Sequence, residues 1–83
     1  MTPAQIEARI LETYADAQLF VIDQTGMGNN FEVRIACDAI NALPRLQRHQ
    51  KILQLFNPEF QSGELHALSV RPIQLDWNRK NPI

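Results

Sequence analysis

The sequence predicts an α+β domain whose elements follow one another in the order α-β-β-α-β. Two stretches carry apolar residues at the three- and four-residue spacing of amphipathic helices, and two short segments of strand type lie between them. A third segment of strand type follows the second helix. This order favours a three-stranded sheet with both helices packed on one face, a two-layer sandwich.

The first helix is predicted to begin at Thr2 and Pro3. Threonine is a common N-cap, and proline is tolerated in the first turn because its missing N–H would have no partner there. Ile6, Ile10 and Tyr14 then recur every four residues. They form an apolar stripe that is expected to cover one side of the sheet.

Two strands are predicted after this helix, close enough in sequence to pair as a hairpin. Residues 19–22 are a short uninterrupted apolar run, which is expected to be covered on both faces. Residues 23–30 include Gly26 and Gly28 and form a turn-rich connector. In residues 31–37 a large apolar side chain occupies every second position, which predicts a strand with one buried face.

The second half of the chain is predicted to hold one helix and one strand. An irregular passage over residues 38–43 leads into a helix from about 44 to 56, which Pro58 is expected to end. A turn at 61–63 then leads to the last strand, residues 65–71. The apolar positions of all five elements are expected to form one core: Ile6, Ile10, Tyr14, Leu19, Val21, Phe31, Val33, Ile35, Leu46, Leu53, Phe56 and Leu68.

The length and composition limit the classes of function. With 83 residues there is room for one domain, expected to span 1–83 with a polar C-terminal tail from about 78. A net charge of −1 gives no general attraction to nucleic acids or membranes. The single cysteine forms no internal disulfide, and no apolar run reaches the ~20 residues that cross a bilayer. The N-terminus lacks the pattern of a secretory signal, so a cytoplasmic protein is expected.

Five short segments resemble the BolA-like family of small stress-response and iron–sulfur-related proteins. Residues 30–33 read Asn-Phe-Glu-Val, residues 37–40 read Cys-Asp-Ala-Ile, and residues 46–49 read Leu-Gln-Arg-His. Residues 66–69 read His-Ala-Leu-Ser, and Trp77 follows. The resemblance covers nearly the whole chain and implies an α/β sandwich of the class II KH type. One departure lies at residues 41–44, where Asn-Ala-Leu-Pro replaces the family's usual Glu-Gly-Lys-Ser.

The chain's two histidines, His49 and His66, lie in two of these segments. The resemblance implies that His66 ligates a [2Fe–2S] cluster shared with a monothiol glutaredoxin and glutathione, and that the isolated protein holds no cofactor. Imidazole suits such a cluster, as in Rieske centres. Without the resemblance, His66 is expected to be an edge histidine that makes one backbone hydrogen bond. Asn30 occupies the position where the family has its second ligand, and an amide is a poor ligand for iron.

His49 and Cys37 are interpreted as structural residues. On a helical wheel His49 falls in the apolar stripe that contains Leu46 and Leu53, which predicts a largely buried and locally hydrogen-bonded ring. Cys37 shares the inward parity of the strand over residues 31–37. It is therefore expected to be an inert thiol in the core rather than a ligand.

A nucleic-acid-binding regulator with a KH-like fold is the alternative. Arg45, Arg48 and Lys51 cluster on the second helix, and no acidic residue occurs from 39 to 58. Such a face can neutralise phosphates, or it can contact an acidic protein partner. The Gly-X-X-Gly loop of true KH domains is missing from the sequence.

An enzyme is not expected, because no nucleophile is paired with a base and no phosphate-binding loop is present in the sequence. The expected function is a non-catalytic adaptor or regulator that binds a monothiol glutaredoxin in iron–sulfur cluster handling or in iron and redox regulation. The isolated protein is expected to be a monomer or a weak dimer that binds no membrane.

Overall fold

A computed structural model of the chain describes residues 1–74. The predicted polar tail and Trp77 lie outside these described residues. The elements, in chain order, are α1 (Pro3–Thr13), β1 (Gln18–Asp23), β2 (Asn30–Ala36), α2 (Asp38–Asn41), α3 (Arg45–Leu53), a 3₁₀ turn (Gln54–Phe56), α4 (Asn57–Ser62) and β3 (Ala67–Pro72).

The strands form one mixed sheet in the order β1-β2-β3. β1 and β2 run antiparallel as the predicted hairpin, with Val21 opposite Val33. β2 and β3 run parallel, with Val33 beside Val70. β2 is therefore the central strand, and the chain crosses from β2 to β3 through α2, α3 and α4.

The core lies between one face of the sheet and the helices. Phe31, Val33 and Ile35 of β2 are fully buried, and they belong to the same cluster as Ile10 of α1 and Ile52 of α3. The residues that alternate with them along β2 are only half-buried. The α+β class and the packing of helices on one face of the sheet are thus confirmed.

The start of α1 is the capping box that Thr2 and Pro3 indicate. The backbone N–H of Gln5 donates to the Thr2 hydroxyl oxygen across 3.2 Å, and the backbone N–H of Thr2 donates to Gln5 Oε1 across 2.9 Å. Two N–H groups that the first turn leaves unpaired are thereby satisfied. The helix then buries Ile6 and Ile10, the first two residues of the predicted stripe.

The prediction that β1 is covered on both faces is wrong. Phe20 is 57% exposed and Ile22 is 38% exposed. Leu19 and Val21, which alternate with them along the strand, pack against the core. An uninterrupted apolar run is ambiguous, because it also fits a strand whose second face is bare. The helices of residues 1–74 cover only one face of the sheet, so every second residue of β1 remains outside.

The predicted second helix is divided into more elements than expected. α3 ends at Leu53, and α4 begins at Asn57 with Pro58 in its first turn. Pro58 therefore helps to start a helix instead of ending one, since the first turn has no use for its missing N–H. Gly63, with φ of 84°, ends α4 in the left-handed conformation. The passage predicted to be irregular contains α2, and β3 begins at Ala67 rather than at residue 65.

Two corrections concern the core. Leu46 was expected inside but is 69% exposed, because it lies in the first turn of α3 and on the side away from the sheet. Ile40 of α2, Ile52 of α3 and Leu65, which precedes β3, are buried although none of them is among the predicted core positions. No helix within residues 1–74 is long and apolar enough to span a membrane.

An ion pair between Arg9 and Glu59 joins α1 to α4. The Arg9 guanidinium donates to both carboxylate oxygens of Glu59, across 3.0 and 2.7 Å, and also to the carbonyl oxygen of Leu55 across 2.9 Å. It lies over the Phe56 ring, 5.2 Å from the centroid. The hydrogen bond from Arg9 lowers the pKa of the Glu59 carboxyl, and the same bond raises the pKa of Arg9.

Candidate functional site

His66 lies at the entry to β3 with its side chain exposed. Its backbone N–H donates to the carbonyl oxygen of Asn29 across 2.9 Å, and the N–H of Ala67 donates to the same oxygen across 3.3 Å. Leu65, immediately before it, is buried in the core. The backbone of His66 is therefore anchored on both sides while its imidazole remains accessible to solvent and to a partner.

The loop between β1 and β2 is organised by the Asp23 carboxylate. It accepts hydrogen bonds from the backbone N–H groups of Thr25, Gly26 and Gly28, at 3.3, 2.9 and 3.0 Å. Gly28 has a φ of 75°, and a Cβ at this position would lie 2.7 Å from the backbone oxygen of Met1. The Met1 ammonium in turn donates to the Gly28 carbonyl oxygen across 3.0 Å. The loop that ends at Asn29 is thus held from two directions.

Asn30 is brought close to His66 along the backbone. It lies opposite Ala67 in the register of β2 and β3, one residue from His66. Its side-chain Oδ1 is buried and has no hydrogen-bond partner within residues 1–74. The backbones of Asn30 and His66 are therefore neighbours, but the amide oxygen of Asn30 is buried rather than presented at the surface beside His66.

The two histidines line one surface depression. This depression has a volume of about 340 Å³ and is bounded by His49 and His66 together with apolar side chains from Leu53, Phe60 and Leu68. Asn30 is not among its lining residues. Because α3 packs against β3, the fold brings together two imidazoles that are 17 positions apart in the sequence.

His49 is half-buried rather than largely buried. Within residues 1–74 neither nitrogen of its ring makes a hydrogen bond, although the sequence suggested that they would be bonded locally. It also lines a second depression of about 440 Å³ beside Arg45 and Leu46. Sequence reasoning missed that the two histidines share a depression. The signal that could have revealed it is the tendency of a helix in the crossover between two parallel strands to pack on the strands that it connects.

The three cations of α3 do not form one free face. Arg45 and Lys51 are exposed, whereas Arg48 is half-buried and donates to the Leu43 carbonyl oxygen across 3.1 Å. The Nε of Arg48 is buried without a partner in the described part of the chain. Arg48 therefore holds the turn before α3, and two of the three predicted cations are available to a partner.

Cys37 lies on the inward face that its parity predicts and is 5% exposed. A buried thiol is shielded from both metal and oxidant. Across residues 1–74 no group of three or more histidine, cysteine, aspartate or glutamate side chains is arranged to hold a metal ion.

Comparison with known proteins decides the family. The family model described as BolA-like protein matches residues 4–74, which include both histidines, the glycine loop and all three strands. This chain belongs to the BolA-like family. A Sinorhizobium protein encoded in the cobS 5′ region is 33% identical over 79 residues, with 81% of this BolA-like chain and 84% of the relative covered. A Haemophilus influenzae protein is 30% identical over 76 residues, with 90% and 86% covered.

Solved structures show the same BolA-like fold. The BolA domain of SufE1 from Arabidopsis thaliana superposes with a TM-score of 0.73 at 28% identity, with 84% of this chain and 87% of that one covered. BolA1 from Arabidopsis thaliana gives a TM-score of 0.71 at 20% identity and covers the same shares. BolA1 from Mus musculus gives 0.66 at 22% identity, with 98% of this chain and 71% of that one covered.

Proposed function

We propose that this BolA-like chain is a non-catalytic adaptor that binds a monothiol glutaredoxin and contributes His66 as a ligand of a shared [2Fe–2S] cluster. The proposed setting is the cytoplasm, and the proposed role is iron–sulfur cluster handling or iron and redox regulation. The observation that carries this function is the exposed imidazole of His66 on an anchored backbone. Because the backbone at the start of β3 is fixed, the imidazole of His66 is held in position and is not needed to stabilise the strand.

The donor groups of the chain fit such a cluster only in part. An imidazole replaces thiolate on one iron in Rieske centres, so His66 is chemically suitable. Asn30 is an amide, which binds iron poorly compared with thiolate or imidazole. Cys37 is buried in the core and is not offered to the surface. The glutaredoxin cysteine and the thiol of glutathione are therefore proposed to supply the remaining ligands.

The depression beside His66 is open to solvent, which suits a cluster that is shared between two proteins. Its apolar walls, Leu53, Phe60 and Leu68, offer surface that a partner can cover. Covering these side chains would exclude water from the metal centre, and solvent exposure is one of the factors that set the reduction potential of such clusters. The depression is thus proposed as the place where the glutaredoxin closes over the shared site.

Co-expression with a monothiol glutaredoxin, followed by purification and visible absorption spectroscopy, tests this function. A coloured complex that contains both proteins and iron is the expected result. A colourless complex would support regulation without a cluster. If the two proteins do not copurify under any condition, the adaptor role is wrong.

A nucleic-acid-binding regulator is the second candidate, because Arg45 and Lys51 are exposed on α3 and no acidic residue lies between positions 39 and 58. The use of Arg48 inside the chain weakens this surface. Replacing both Arg45 and Lys51 by glutamate should abolish binding to duplex DNA if this function is correct, since phosphate contacts dominate such affinity. If the unmodified chain does not bind duplex DNA at low salt, the nucleic-acid-binding function is excluded.

A further inference from the structure

β1 is an edge strand that carries two exposed apolar side chains. Phe20 and Ile22 are 57% and 38% exposed. Both point to the face of the sheet that the helices of residues 1–74 leave bare, where they lie beside Arg34 and Glu32 of β2. Adjacent exposed apolar residues on an unpaired strand often mark a surface that is covered by another chain.

The backbone groups of β1 are also available at its outer edge. The N–H of Gln24 donates to the Asn30 carbonyl oxygen, which identifies residues 18, 20, 22 and 24 as those bonded to β2. In an antiparallel pair the intervening residues direct their N–H and C=O groups away from the partner strand. Leu19, Val21 and Asp23 therefore present their backbone groups at the outer edge of the sheet.

The two edges of the sheet differ in how they are protected. β3, at one edge, carries Arg71 and Pro72, and charge and proline are common devices that prevent an edge strand from pairing with another chain. β1, at the other edge, has neither charge nor proline from Gln18 to Ile22. The first charged residue is Asp23, at the end of the strand. The unprotected edge is thus also the edge with exposed apolar side chains.

We propose that β1 pairs antiparallel with β1 of a second copy of this chain, about a two-fold axis at Val21. Val21 then lies opposite its own copy, and Leu19 lies opposite Asp23 of the second copy. The outward backbone groups of these residues form the new ladder. On the open face Phe20 packs against Ile22 of the second copy, an aromatic and β-branched pair of the kind that stabilises neighbouring strands.

The exposed apolar residues select this register. With the axis at Val21, Phe20 and Ile22 of each copy both face an apolar residue of the other copy. With the axis at Phe20, the two Phe20 side chains would face each other, but Ile22 would lie opposite Gln18 of the second copy, so fewer residues would gain an apolar partner. The charged residues of the open face do not decide the register, because Glu32 already pairs with Arg34 and Arg71 of its own chain, at 3.1 and 3.8 Å.

The concentration dependence of the molecular mass, measured by sedimentation velocity, tests the contact. The unmodified chain is expected to shift from monomer to dimer as its concentration rises. Phe20→Lys and Ile22→Lys should each weaken the dimer by about tenfold or more, a change of about 1.4 kcal/mol. Leu46→Lys is the control, because Leu46 is also an exposed apolar residue, at 69%, but lies on α3, and this variant should leave the equilibrium unchanged.

Crosslinking tests the register independently. The double variant Phe20→Cys, Ile22→Cys should form a covalent dimer under mild oxidation, because each new thiol faces one from the other copy. Phe20→Cys alone should remain uncrosslinked. Circular dichroism confirms that each variant is folded.

A chain that stays monomeric at every concentration overturns the proposal, as does a dimer that Phe20→Lys leaves intact. A covalent dimer of the single Phe20→Cys variant also overturns it, since this would place the axis at Phe20.

Discussion

The backbone N–H of His66 donates to the carbonyl oxygen of Asn29 across 2.9 Å, which joins the start of β3 to the end of the glycine loop. These two segments are far apart in the sequence but form one surface in the fold. The loop is itself fixed by the Asp23 carboxylate. The position of the His66 side chain therefore depends on residues in the first hairpin as well as on its own strand.

Gly28→Ala and Gly26→Ala form a matched pair that tests the loop. Both glycines have positive φ, of 75° and 77°, but only Gly28 is crowded by the Met1 backbone oxygen. We expect Gly26→Ala to cost about 1–2 kcal/mol of unfolding free energy from the left-handed backbone alone, and Gly28→Ala to cost more. Urea unfolding measures both. Equal losses would show that the contact between Met1 and the loop does not constrain the chain.

Ile52→Ala and Leu46→Ala test the placement of α3. Ile52 is fully buried, whereas Leu46 is 69% exposed. Truncating Ile52 should cost about 2–5 kcal/mol, because it removes buried methyl groups and leaves a cavity. Truncating Leu46 should change stability by less than about 0.5 kcal/mol. If denaturant unfolding gave the reverse order, α3 would be rotated relative to the described packing.

The sequence predicted the elements whose signals are local. Thr2 and Pro3 located the start of α1, and the alternation in residues 31–37 predicted β2 with its buried face. The sequence alone does not decide the role of Pro58, because proline fits both the position after a helix and the first turn of the next one. Which of these two roles Pro58 takes depends on whether the residues after it form a helix, and here they form α4, which ends at Gly63.

The candidate site was only partly predictable for a different reason. The His-Ala-Leu-Ser segment singled out His66, and its exposure agrees with a position at the sheet edge. The shared depression with His49 arises from packing between α3 and β3, and no local pattern encodes that contact. The apolar run in β1 likewise does not reveal that one face of the strand is exposed, because the helices that cover its other face lie elsewhere in the sequence.

The ion pair between Arg9 and Glu59 predicts a specific dependence of stability on pH. Arg9 lowers the pKa of Glu59 in the folded state, so the unfolded state binds a proton at higher pH than the folded state does. The pair's contribution is therefore complete above the unfolded pKa of about 4 and is lost as the pH falls through the lower folded value.

Glu59→Gln should consequently be less stable than the unmodified chain at neutral pH, and the difference should shrink as the pH falls below about 4. Unfolding by urea at a series of pH values measures the difference. Glu7→Gln on the exposed side of α1 is the control and should change stability little, because Glu7 is not among the charges that act on Arg9. A difference between Glu59→Gln and the unmodified chain that stays constant with pH would exclude a role for this carboxylate's charge.

Asn30→His tests the departure from the family pattern. The family resemblance implies a second ligand at position 30, and Asn30 lies opposite Ala67, one residue from His66, so an imidazole here tests whether this position reaches the shared cluster. We expect the variant complex with glutaredoxin to lose its cluster more slowly to an iron chelator, followed by visible absorbance. Asn29→His, one position earlier, should give no such protection. A faster loss for Asn30→His would show that this position does not face the metal.

The ligand role of His66 is best measured by nitrogen hyperfine spectroscopy of the reduced cluster in the purified heterocomplex. Labelling only this chain with ¹⁵N-histidine and leaving the glutaredoxin unlabelled assigns the signal to His49 or His66, the chain's two histidines. The unmodified chain and His49→Ala should both show a coupled ¹⁵N nucleus, although His49→Ala should melt at a lower temperature through lost packing. His66→Ala should lose the coupling and release the glutaredoxin to form its own homodimeric cluster. A ¹⁵N coupling that survives in His66→Ala would contradict the role of His66 as the ligand.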